Sequence, residues 1–498
     1  MTFPAKPMDR RRFLLATAAT AASLKSFAQS PKAETLTLHP DQPGPSIPAN
    51  FVGLSYETQQ LSDPNFFAPT NTGLIAQFRA LTPHGVLRIG GNTSDVGWWK
   101  PTPESTQPPL PEKVVIIPLR PDEQPFQKLA YSITPQAVIN LRAFLDATGW
   151  TCLYGINLAT NTPALAAEQA AFVAKTLGSR LEYFQLGNEP DIFYNRFRVK
   201  ANWNADVYLD EWLAAANAIR ARVPNAHFGL PDVASNAAWF SPITERLAAT
   251  KDAPNVVAIS HHYYFTGPPA NPHANIDALL QPDPKVAEVA KLAQDAAAKL
   301  HTAWRMTEGN TCYRGGKPGF SDVFAASLWA ADYLLTLASL GYAGVNLHGG
   351  SGKAVADSLG GTLPGELLMP DPKAPHPRPF YTPIAEIDGK YVAEPVYQGM
   401  KFAGNFAGAQ LLKLDFNPGP VNATAYAAKL PTGQLAVIII NKDKSQDLPL
   451  NLPGYSLAQT LTSTALDAHH AELSEPAKFR EASVVPHSSA ALLYKTRD

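Results

Sequence analysis

TCLYGINLATNTPALAAEQAAFVAKTLGSRLEYFQLGN, residues 151–188, reads as a strand, a helix and a second strand. Thr151–Leu158 and Leu181–Asn188 are short runs rich in apolar and aromatic residues, and Pro163–Leu177 between them carries its apolar residues at helical spacing. The same rhythm extends both ways along the chain. Upstream, Phe51–Glu57 and Gly85–Gly91 read as strands, with helices at Gly73–Leu81 and Pro135–Thr148. Downstream, helices at Ala205–Arg222, Pro242–Ala249, Pro284–Leu300, Val323–Leu340 and Glu394–Phe406 alternate with strands at Ala226–Leu230, Val256–Tyr264, Ala303–Thr307 and Gly344–Leu347. Eight strand-then-helix units in about 350 residues predict an α/β fold, a (β/α)8 TIM barrel with insertions spanning 49–409. Pro101–Pro125, rich in proline, reads as a long excursion from it.

After Ala409 the pattern changes to short strands between Pro, Gly and Asn turns: Leu411–Leu414, Ala423–Lys429, Leu435–Asn441, Leu448–Leu450, Ala458–Leu466 and Ala490–Lys495. These predict an accessory β-sandwich over 410–498, joined by strands from 34–48. Two domains suit 498 residues, since one hydrophobic core stops growing near roughly 250–300. Net charge is −1, so the chain has no general electrostatic pull toward nucleic acid or anionic membrane, and neither is expected as a partner. Oligomeric state leaves no mark in the sequence. Asp9-Arg10-Arg11-Arg12-Phe13-Leu14, an apolar run through Ala22 and Ser26-Phe27-Ala28 form a twin-arginine signal pattern over 1–28. It predicts export to the periplasm or the extracellular space. No later apolar stretch reaches the roughly 20 residues of a membrane helix. Two cysteines, Cys152 and Cys312, exclude a disulfide scaffold and are expected to be free thiols.

Barrel active sites lie where strands end at the C-terminal face. Glu189, in Leu186-Gly187-Asn188-Glu189-Pro190-Asp191, closes the fourth strand, and Glu308, in Met306-Thr307-Glu308-Gly309-Asn310, closes the seventh. Strands four and seven face each other across the mouth, so the two carboxylates can converge. A retaining glycosidase needs two carboxyls about 5–5.5 Å apart, one to protonate the leaving oxygen and one to attack the anomeric carbon. Each glutamate alone is an ordinary loop start or strand end; the pairing carries the reading. Asn188, just before Glu189, is placed to hydrogen-bond a sugar 2-hydroxyl. No HExxH or cysteine pair supports a metal, and no cofactor is expected. Gly352-Lys353 is not a phosphate loop, because Leu347 and Ala354 break that pattern.

Four segments in order, Arg88–Asp95, Leu186–Pro190, His261–Tyr264 and Glu308–Gly316, resemble glycoside hydrolase family 79, β-glucuronidases with heparanases as endo-acting relatives. The resemblance runs from about Glu34 to the C-terminus. It implies an exo-acting retaining β-glucuronidase acting on carbohydrate with β-linked glucuronic acid, with Glu189 as acid/base and Glu308 as nucleophile. It also implies that Tyr264 and Tyr313 hold the uronate carboxylate, that the Gly349 and Gly350 amides approach it, and that Tyr381 lines the pocket. Asn92 and Asp95 are candidates for hydroxyl binding, with Asp95 equally a loop cap. His262 is a candidate sugar contact, an orienter of the nucleophile, or a structural histidine. Trp98 and Trp99 read as aglycone stacking or barrel packing. Residues 354–378 depart from the family pattern as an insertion beside the pocket. The alternatives are a heparanase-like endo enzyme and a non-catalytic sugar-binding protein on the same fold.

Overall fold

The computed structural model describes residues 34–118, 129–350, 352–359, 374–475 and 481–496. The signal pattern of 1–28 and most of the insertion, 360–373, lie outside them. Eight parallel strands close a barrel: β1 (Val52–Glu57), β2 (Val86–Gly90), β3 (Thr151–Ile156), β4 (Leu181–Leu186), β5 (His227–Val233), β6 (Asn255–Thr266), β7 (Ala303–Cys312) and β8 (Val345–His348). Each strand pairs with the next in the chain, and β8 closes on β1. Local chemistry starts and stops the helices between them. The Thr162 hydroxyl caps Pro163–Leu177 by accepting from Leu165 N, and Pro163 fills the first turn, where no amide partner is needed. Gly149, at φ 82°, ends Pro135–Thr148.

Three of the strand ends that differ from the sequence reading bear on the site. β4 stops at Leu186, because Gly187 (φ 81°) and Glu189 (φ 52°) turn left-handed. β5 runs on to Val233 and so includes Asp232. β7 continues past Glu308 to Cys312. A bulge lies between Met306, opposite His261, and Glu308, opposite His262; it leaves Thr307 as the extra residue and re-aims the strand as it enters the mouth.

Nine strands form the β-domain in one hydrogen-bonded order. Glu34–Ser46 pairs antiparallel with Gln410–Phe416 and parallel with Leu448–Asn451. Leu435–Asn441 alternates between two cores. Ile438 and Ile440 join the barrel's cluster, while Val437 and Ile439 join a second cluster with Leu36, Leu448 and Leu493. With both faces covered, the strand reads as an unbroken apolar run. Helix Phe324–Ser339 lies beneath it with thirteen of its sixteen residues buried. Its first amides donate to β-domain carbonyls, Phe324 N to Ala468 O at 2.8 Å and Ala325 N to Leu466 O at 2.9 Å. Cys152 is the second residue of β3 and Cys312 the last of β7, so the two buried thiols sit at opposite ends of the barrel. Trp99 is a packing residue, its ring 5.1 Å from that of Phe172.

Candidate active site

A charged residue inside an apolar strand must find partners, and Arg88 in Val86-Leu87-Arg88-Ile89-Gly90 finds several. Its guanidinium donates to Glu308 Oε2 at 2.5 Å, Asn188 Oδ1 at 2.8 Å, Gln185 Oε1 at 3.1 Å, and Ser55 Oγ and Asp232 Oδ2 at 3.2 Å each. Room for it depends on Gly90, where an added Cβ would lie 2.3 Å from Arg88 Cζ.

Glu308 is buried and accepts a second hydrogen bond, from the Tyr264 hydroxyl at 3.0 Å to Oε1. His348 Nδ1 stands 3.8 Å from Oε2. Burial alone would raise this carboxyl, but His348, His262 and Arg88 outweigh it and hold the pKa down to about 2. Glu189 has the opposite balance. Burial raises its pKa, the His262 hydrogen bond opposes this only in part, and the Glu308 and Asp191 charges add to the rise. His262 links the two sides: Nδ1 donates to Glu189 Oε1 at 2.9 Å, while Nε2 lies 3.2 Å from Arg88 Nη2 and 3.8 Å from Asp232 Oδ1. Burial opposes its charge, but Glu308, Asp232 and Glu189 push its pKa up to about 10.

One ligating atom each from Glu189, His262 and Glu308 lies within 4.8 Å of the other two. Strands four and seven thus bring the two glutamates together. A protonated His262 is a poor metal ligand, and Arg88 and His262 already supply positive charge there. The arrangement offers one carboxyl held low beside a second raised by burial, two groups whose environments push their pKa values apart.

The other candidate residues divide. Asn188 is held in place, with Oδ1 on Arg88 and Nδ2 on Asn92 Oδ1 at 3.2 Å. Asp95 is a cap: Oδ2 takes Asn188 N at 2.9 Å, and Oδ1 takes Leu158 N and Ala159 N. Burial pushes its pKa up to about 7 against those amides. The Tyr264 hydroxyl is engaged with Glu308. Tyr313 is 41% exposed at the rim, its ring 6.3 Å from Tyr264, and Tyr381 is buried 6.1 Å behind Tyr264. The Gly349 and Gly350 amides are not free donors. Gly349 N binds Ser55 O at 2.9 Å and Gly350 N binds Thr382 Oγ1 at 3.3 Å. Gly349 is small for packing, since a Cβ there would meet Pro383 Cδ at 2.8 Å. A cavity of about 150 Å³ opens beside Glu189, lined by Asn92, Asn188, Ile192, Phe193 and Arg196 among others.

No protein-family model matches the chain. Two curated relatives are named beta-glucuronidase. One, from Aspergillus niger, is 25% identical over 311 residues, 58% of this chain and 55% of that protein. The other, from Neurospora crassa, is 25% identical over 351 residues, 62% and 59% of the two chains. The aligned region thus spans little more than half the length of these relatives. Among solved structures, a 4-O-alpha-L-rhamnosyl-beta-D-glucuronidase from Fusarium oxysporum superposes with TM-score 0.64 at 17% identity, covering 92% of this chain and 99% of that one. The GH51 arabinofuranosidase of Xanthomonas axonopodis pv. citri gives TM-score 0.60 at 14% identity, covering 93% and 99%. The fold is therefore that of barrel glycosidases carrying an accessory sheet domain.

Several site residues escaped the sequence reading: Ser55 and Glu57 on β1, Asp232 on β5, and the charge role of His348 on β8. Each is polar at an inward position near the C-terminal end of a barrel strand, and that is the signal that marks them. Ser55 Oγ lies 3.0 Å from His348 Nδ1, and Glu57 Oε1 lies 3.4 Å from its Nε2.

Proposed function

We propose that the chain is an exo-acting, retaining β-glucuronidase that removes terminal β-linked glucuronic acid by double displacement. The observation that carries this is the convergence of two glutamates, with atoms within 4.8 Å of each other, whose surroundings shift their pKa values in opposite directions. Glu308, ionised, attacks the anomeric carbon. Glu189, protonated, gives its proton to the leaving oxygen and then takes one from the attacking water. Arg88 and Tyr264 aim and stabilise the Glu308 carboxylate, and His262 fixes Glu189. The sugar assignment draws on the two relatives named beta-glucuronidase and on the family resemblance of the four motifs. The twin-arginine pattern supports export of the mature chain.

The test is release of p-nitrophenol from its β-glucuronide and β-glucoside, with the first-formed sugar anomer followed by proton NMR. Preference for the glucuronide and a β product are expected. An α product would overturn the retaining mechanism, and preference for the glucoside would overturn the uronate reading.

A further inference from the structure

The two glutamates do not share the cavity of about 150 Å³ at the barrel mouth. Among the described residues its walls include Glu189, Asn188 and Asn92, and not Glu308, Tyr264, Tyr313 or Tyr381. In a retaining glycosidase the acid stands beside the leaving oxygen. The 2-hydroxyl, for which Asn188 is placed, is on the carbon next to the anomeric one. A space that touches Glu189 and Asn188 but not Glu308 is therefore where the leaving group sits. His262 Nδ1 donates to Glu189 Oε1, which leaves the acid proton to Oε2. The Glu189 side chain is 13% exposed, so that proton can be reached.

Local chemistry gives this space an apolar wall. The turn Pro190–Asn195 is pinned by Asp191, whose carboxylate accepts from Ala234 N, Ser235 N and Asn236 N. Phe193 is drawn inward and stacks on Trp203 at 5.6 Å and 20°. Ile192, between them, is left half-buried on the cavity wall, as is Leu129. Apolar side chains exposed singly are ordinary, but these two share one concave wall beside the acid, as in a ligand pocket. The polar groups of the wall are spent on the fold. Asn92 Oδ1 accepts from Asn188, Thr93 Oγ1 donates to Glu57, and Asp357 accepts from Gln59 Nε2 at 2.6 Å. A sugar leaving group, with hydroxyls on every edge, finds few partners here, whereas an aryl ring needs none. Arg196, 5.9 Å from the Phe197 ring, also suits an aromatic occupant. The cavity is smaller than the roughly 300–1,000 Å³ of a drug-sized site, which limits the occupant to about one ring. Exposed Asn92 and Asn195 mark its opening.

We propose that this cavity is the leaving-group site and selects a single aryl ring through Ile192 and Leu129, so that the preferred substrates are glucuronides of small phenols. The proposal rests on the glycosidase reading of the two glutamates. In turnover a Glu308 oxygen bonds to the anomeric carbon as its bond to the leaving oxygen breaks. The Glu189 proton moves to that oxygen, and a neutral phenol departs past Asn92 and Asn195.

The test is calorimetric titration of the full chain with the phenyl, methyl and galactosyl thio-β-glucuronides. The sulfur link resists turnover, so the comparison is free of leaving-group acidity. The phenyl compound is expected to bind about tenfold to a hundredfold tighter than the methyl one, from the apolar area its ring covers. It should also bind tighter than the galactosyl compound. Ile192→Asn and Leu129→Ser should each cut the phenyl-to-methyl ratio by about threefold or more, with the melting curve checked for each. A ratio near one in the parent would overturn the proposal. So would a galactosyl compound bound as tightly as the phenyl, or a ratio that neither folded variant changes. The same three affinities in the thio-β-glucoside series separate this result from the sugar assignment. A phenyl preference confined to the glucosides would overturn the uronate reading and leave the leaving-group site standing. Binding of no compound in either series would overturn both.

Discussion

His348, His262 and Arg88 decide the ionisation of Glu308, and their charges set the acid side of any pH profile. Activity needs Glu308 ionised, so it falls as pH drops toward the Glu308 pKa of about 2. It also needs Glu189 protonated, so it falls as pH rises through the raised pKa of Glu189. His348→Asn removes the largest charge that opposes burial at Glu308. Its pKa should rise and the acid limb of kcat/KM should move to higher pH; an unmoved limb would show that His262 and Arg88 suffice. Glu189→Gln should lower kcat/KM by about 10²–10⁴-fold. Glu308→Gln should abolish turnover while substrate binding, measured by calorimetry, survives. The sequence exposed both glutamates because each follows an apolar run that reads as a barrel strand, although β7 in fact runs on past Glu308. It did not expose their partners: Arg88, Asp232 and His348 are polar residues set in mostly apolar strands, and only closure of the barrel makes them neighbours. Nor did it show that the Gly349 and Gly350 amides are spent on Ser55 and Thr382, because those contacts cross loops far apart in the chain.

At the scale of the element, the end of β2 is built around the arginine. Gly90→Ala would place a Cβ 2.3 Å from Arg88 Cζ, with the guanidinium locked by five partners. A cost of about 1–3 kcal/mol in urea unfolding is expected, with a loss of activity larger than that destabilisation alone explains. Helices were the most legible elements. Pro135–Thr148, Pro163–Leu177, Ala205–Arg222 and Pro284–Leu300 have the limits their apolar spacing predicts. Strand ends were less legible where the site departs from regular pairing. The bulge before Glu308 and the left-handed Glu189 are set by contacts across the barrel, including Glu189 N to Asp232 O at 3.0 Å, which no local pattern encodes.

At the scale of the whole molecule, barrel and β-domain share a core. Ile438 packs toward the barrel and Ile439 toward the domain's own interior, so alanine at either position should cost about 2–5 kcal/mol, measured by denaturant unfolding. A sheet with one wet face would show the cost at only one of them. A barrel cut off after 409 would bare the covered face of helix Phe324–Ser339, and it is expected to express as insoluble material. The two cysteines carry a different consequence. Cys152 and Cys312 lie buried at opposite ends of the barrel, and burial pushes the Cys152 thiol well above its usual range. Maturation therefore waits on no oxidant, and dithiothreitol should leave the melting curve where it was. A single cysteine introduced on the surface would be the one thiol open to maleimide, a clean place to hang a fluorophore.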